Sequence, residues 1–188
     1  VMGATAASDG SLYFAGGRDV PVDAKGEQTR TPFVIGRIDV QGRFRAIASG
    51  VGDSRNSWGW TGMAPVFGGV VAATGLSHDP GGVVTLTRGN RVVRRPKASQ
   101  LGFPAEPACL DAEDHWISID RVFLGAAGDP VLEMSCNIEG DRLAHVLQRA
   151  LVGLDAKLRP RWRETNDPMS PQLIGPDGRF LQISKTVI

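Results

Sequence analysis

Apolar runs of four to seven residues, broken by Gly, Pro, Asp and Asn, recur along the whole chain. This is the punctuation of strands and turns, not of helices. Predicted strands include Ser11–Ala15, Phe33–Ile38, Gly69–Ala73, Val83–Leu86, Pro130–Met134 and Phe180–Ile183. Only Arg142–Leu151 carries apolar spacing compatible with a helix. A strand is the better reading there, because strand-like residues continue through Val152.

An internal repeat organises these runs. One hairpin has a small-residue strand, a glycine turn and an apolar strand: Ala4–Phe14, Met63–Val71, Val122–Leu132 and Ser170–Leu181. Its turn glycines Gly10, Gly69, Gly128 and Gly178 are 59, 59 and 50 residues apart. A second hairpin follows in the first three copies: Val34–Arg45, Val83–Arg94 and Leu151–Trp162. Asp39 and Asp155 suit its turns, since Asp caps a turn on its own backbone and Gly supplies positive φ. Two hairpins give a four-stranded antiparallel sheet, the unit of a propeller blade.

The segments Ser170–Ser184 and Leu151–Arg163 resemble blades of the PQQ-like (quinoprotein-type) and related bacterial β-propellers. In those families one strand pair carries a Pro and then Asp-Gly, and the outer pair an Ala-Leu-Asp, a Thr-Gly and a closing Trp. Here Leu158 and Arg159 replace the Thr-Gly, Trp162 falls one residue early, and Phe44 and Val92 take the tryptophan position in the other copies. The resemblance implies an all-β propeller architecture. It assigns no cofactor, because propeller families share this pattern while doing unrelated work. The expected blades are 1–55, 56–105, 106–166 and a partial 167–188. About three and a half blades do not close a ring of four to eight, so a second chain or further blades are expected to complete it. A β-sandwich or β-barrel of similar strand count is the alternative.

Composition sharpens the class. The chain has 188 residues, 41% hydrophobic and 22% charged, with 24 Gly, 12 Pro and a net charge of +1. That describes a globular domain with a real core, not a disordered chain. Arg outnumbers Lys 17 to 4, read as codon bias of a GC-rich genome. Basic residues are scattered and nearly matched by acids, which argues against nucleic acid as a partner. No apolar stretch reaches 18 residues, so no membrane-spanning helix is expected. The chain opens Val1-Met2-Gly3 with no visible signal peptide, so it is expected either to stay in the cytoplasm or to have lost a leader. Cys109 and Cys136 are the only cysteines. As a disulfide they would place the chain in a secreted or periplasmic compartment; as two buried thiols they would leave it cytoplasmic.

Candidate chemistry gathers in loops. Gly75-Leu76-Ser77-His78-Asp79 is similar to a nucleophile elbow, but Asp79 stands where the second glycine belongs. Asp111-Ala112-Glu113-Asp114-His115-Trp116 is the densest polar cluster. Neighbours on an extended chain point to opposite faces, so few of these groups can converge, and no metal site is expected. For an enzyme the candidate catalytic residues are therefore His78, Asp79, Asp114 and His115. Asp53, Arg55, Asn56, Trp58 and Trp60, together with Asp120, Arg121 and Asp167, are placed near the starts of inner strands, at a channel mouth. Flat aromatics beside amide and guanidinium groups suit a sugar, a planar ligand or a peptide.

The functional expectation is a propeller binding protein or subunit that recognises a protein partner or a small polar or carbohydrate ligand at the mouth. The alternative is a propeller hydrolase or lyase, and less readily a PQQ-type oxidoreductase.

Overall fold

The structure, a computed structural model, describes residues 3–17, 30–53, 57–66, 68–76, 82–125, 127–138, 145–166, 172–174 and 180–182. Strands β1 (Gly3–Ala6), β2 (Leu12–Gly17), β3 (Arg30–Ile38) and β4 (Phe44–Asp53) form a first antiparallel sheet in sequence order. A second follows from β5 (Ser57–Val66), β6 (Gly69–Leu76), β7 (Val83–Arg88) and β8 (Arg91–Arg94). A third is built from β9 (Trp116–Leu124), β10 (Pro130–Ile138), β11 (His145–Leu154) and β12 (Pro160–Asn166). A two-stranded piece, β13 (Gln172–Ile174) with β14 (Phe180–Gln182), comes last. The chain is all-β, and the helix-compatible window is the strand β11 over its described part.

The hairpin turns are local chemistry. Asp39 N donates to Arg43 O at 3.1 Å, and Gly42 N to Asp39 O at 2.9 Å. The Asp39 carboxylate accepts from Gln41 N and Arg43 N and pairs with Arg43 Nε at 2.8 Å. Asp155 repeats this with Lys157 N, Arg159 N and Arg159 Nε. Backbone N–H groups of Arg159 and Lys157 hold its carboxyl down to about 2. The position needing positive φ is Gly42 in one turn and Leu158 (φ 58°) in the other. Leu158 tolerates it because its side chain is wholly buried in the core.

In the second repeat the glycine with positive φ is Gly68, not the expected Gly69. Gly69 is required for a different reason: a Cβ there would lie 1.8 Å from Thr87 O on β7. Gly178 lies outside the described residues.

The sheets stack face to face. On β6, Val70 and Ala72 join Tyr13, Ile35 and Ala48 of the first sheet, while Val71 and Ala73 join Ile119, Leu132, Met134 and Val152 of the third. The first strands lie in a row, with β5 against both β1 and β9.

The 95–115 connection crosses from β8 to β9 through a 3₁₀ turn, Ala98–Gln100, and a short helix α1, Pro107–Leu110. Ala98 and Leu101 within it are fully buried. Gln148 of β11 clamps it, accepting from Glu106 N at 2.8 Å and donating to Pro104 O at 2.6 Å. Cys109 of α1 and Cys136 of β10 form a disulfide with Cα atoms 6.1 Å apart. A cross-link over 27 residues restricts the unfolded chain by about 3–4 kcal/mol in the loop-entropy account. The Cys109→Ala/Cys136→Ala variant is expected to lose stability of that order, read as a lower denaturant midpoint; an unchanged midpoint would contradict it.

Candidate functional site

The two ends of the sheets differ. Turns β1–β2, β3–β4, β5–β6, β7–β8, β9–β10 and β11–β12 are all tight and share one end, as antiparallel meanders dictate. The other ends of the strands, where β2 meets β3, β6 meets β7 and β10 meets β11, lie opposite these turns. Surface connections on a rigid scaffold are where binding groups are usually carried.

From that loop end a polar stripe runs into the third sheet. Residues alternate across β10, so Leu132 and Met134 enter the core while Glu133, Ser135 and Asn137 take the opposite face. A bulge in β9 leaves Asp120 unpaired between Arg121, opposite Glu133, and Ile119, opposite Met134. Bulges re-aim side chains, and this one accompanies a closed network. Asp120 Oδ1 accepts from Ser118 Oγ at 2.8 Å and from Ser135 Oγ at 3.1 Å. The two hydroxyls lie 2.8 Å apart, and Asn137 Nδ2 donates to both. These serines are occupied in holding a carboxylate, and no histidine bonds to them among the described residues.

Glu133 lies one step deeper and is 4% exposed. Its Oε2 is 3.5 Å from Arg121 Nε, an ion pair too long for a good hydrogen bond, and it has no hydrogen-bond partner among the described residues. Arg149 Nε, on β11 opposite Ser135, is likewise buried without one. Burial pushes the Glu133 carboxyl up and Asp120 adds to this, while Arg121 and Arg149 oppose it. An acceptor and a donor, both unsatisfied, thus belong to neighbouring charged groups of one sheet.

Of the residues expected at a mouth, Asp120 and Arg121 take part in this stripe. They sit mid-strand, however, because β9 starts at Trp116 rather than near Val122. Trp58 and Trp60 fall within β5 instead of preceding it, and Asp53 ends β4. Arg55, Asn56, His78, Asp79 and Asp167 lie outside the described residues. Asp114 and His115 are exposed in the turn before β9. There His115 Nδ1 is 2.9 Å from Ala112 O, and Asp114 has φ 54°. No three His, Cys, Asp or Glu side chains gather as a metal site among the described residues.

Ser118, Ser135, Asn137, Glu133 and Arg149 were not singled out from sequence. The one available signal was Glu133-Met134-Ser135-Cys136-Asn137, alternately polar and apolar inside a strand that is buried on both faces.

The folded carboxyl of Glu133 lies above its ordinary 4.5. Its charge therefore weakens the fold above the raised value, and the penalty vanishes below about pH 4.5, where folded and unfolded chains are both protonated. Glu133→Gln is expected to raise Tm at pH 8 and to match the parent at pH 4; an equal difference at both would exclude this origin. No family model and no curated protein matches the sequence.

Proposed function

We propose that the three sheets are blades of a β-propeller and that the chain is a binding module. What supports the architecture is the row of first strands, β1 beside β5 beside β9, with near-identical Asp–Arg turns on β3–β4 and β11–β12. The ring is completed by further blades or a second chain. The first sheet's outer face supports this, since Leu12 is 41% and Phe44 58% exposed, with Phe14 and Phe44 stacked at 5.6 Å. A face of that kind is normally covered. Light scattering on the native protein is expected to show a complex or a dimer; a monodisperse monomer would exclude completion by a second chain of this sequence.

The binding reading is carried by one observation: Glu133 Oε2 and Arg149 Nε are buried and unsatisfied on one sheet. Leaving such groups without a hydrogen bond costs about 1–3 kcal/mol each. An amide supplies both complements, its N–H for the carboxylate and its C=O for the guanidinium. The recognised ligand is thus an amide-bearing one, a peptide segment or an N-acetylated sugar. Its partner compartment is oxidising, in keeping with the Cys109–Cys136 disulfide. Hydrolase or lyase chemistry is the second reading, favoured by the Glu133 carboxyl, raised by burial and further by Asp120 on the neighbouring strand.

Titration with acetylated peptides and chito-oligosaccharides, followed by the Arg149 Nε–H resonance, tests this. Binding is expected to move that resonance and to fall about tenfold in Glu133→Gln, by the loss of a charge-assisted bond. Binding that leaves both unaffected would overturn the reading, and turnover of the ligand would favour the enzyme.

A further inference from the structure

At the tight-turn end, opposite the stripe, the second and third sheets leave a crevice of about 580 Å³ between the β7–β8 hairpin and the β11–β12 turn. Its apolar part is Leu86, Val93 and Ala156; its charged part is Arg88, Arg94, Lys157 and Arg159. The cations come from two sheets far apart in sequence.

Their partners are unequal to their charge. Arg88 Nη2 donates to Ala156 O at 3.1 Å, and Arg94 Nη1 to Lys157 O at 2.5 Å. These bonds fix two guanidinium groups across the junction, yet a carbonyl cancels no charge. Only Arg159 has a carboxylate, Asp155 at 2.7 Å. Among the described residues no carboxylate pairs with Arg88, Arg94 or Lys157. Among the described residues, four solvent-exposed cations therefore share one anion around a partly apolar hollow. Charge on the edge strand β8 discourages sheet-to-sheet pairing, but that role needs no contribution from the β11–β12 turn.

We propose that this crevice binds an organic phosphomonoester. The dianionic head would sit on Arg88, Arg94 and Lys157, and an apolar body on Leu86 and Val93. Two arginines already held in place lose little freedom on binding, and guanidinium forks match phosphate oxygens. The volume lies within the ordinary range of small-molecule sites.

Calorimetric titration of the full chain with phenyl phosphate, inorganic phosphate and phenol at low ionic strength tests it. Phenyl phosphate is expected to bind saturably and more tightly than inorganic phosphate, with phenol not binding. Lys157→Glu is expected to weaken it about tenfold or more by reversing one charge beside the head. That side chain makes no bond among the described residues, so the variant keeps the fold, checked by an unchanged circular dichroism spectrum. Arg94→Gln is expected to weaken binding as well. Absence of saturable binding to the parent chain, or equal binding by Lys157→Glu, would overturn the proposal. Equal affinity for the two phosphates would overturn the apolar half of it.

Discussion

Strand β6 carries the constraint on which the rest depends. Val70, Val71, Ala72 and Ala73 are all fully buried, alternate residues facing the first and third sheets. A strand covered on both faces is read as a continuous apolar run, without the alternation of a half-exposed strand. Its residues must also be short or branched near the backbone, because stacked sheets lie only about 10 Å apart. Between β5 and β9, Gly62 faces the Val122 backbone, and a Cβ there would lie 2.9 Å from Val122 N. Bulk at either place would part the sheets and open both cores.

Given that stacking, the tight-turn end becomes a set of locks between neighbours. Tyr13 is buried, and its hydroxyl donates to Gly89 O on the next sheet at 3.2 Å. Arg37 bridges Asp9 and Ser11 of its own sheet to Asn90 of the next. Arg88 and Arg94 do the same from the second sheet to the third. The loop end has a different kind of restraint, the 95–115 connection held by Gln148 and the disulfide. One end is thus fixed by its turns, and the other supports connections long enough to vary.

The polar stripe is the place where local rules conflict with burial. Strand β10 is buried along almost its whole length, yet three of its residues are polar. Ser135 and Asn137 answer the cost by closing a network on Asp120. Glu133 and Arg149 do not close theirs. Buried groups without a hydrogen bond are rare in folded proteins, and among the described residues Arg37 Nε is the third.

The sequence alone determined the strands, the repeat of hairpins and the Asp-capped turns, because alternation, φ preference and side-chain capping act within a few residues. Even Arg142–Leu151 was legible as a strand over its described part, its pattern continuing unbroken to Leu154. Which of two adjacent glycines takes positive φ was not legible, since Gly68 and Gly69 differ only in what lies across the sheet. The same holds for pairings made at a distance. A near-neutral chain conceals a crevice of four cations, because charge balance is global while Arg88 and Lys157 meet only when two sheets stack. Asp120 and Arg121 were legible as candidate polar residues, but neither their mid-strand position nor their partners were. A bulge shifts their register by one, and opposite strands supply Ser135 and Glu133. Whether the cysteines bond was likewise a matter of two Cα atoms brought within 6.1 Å, a distance set by the fold rather than by the 27 residues between them.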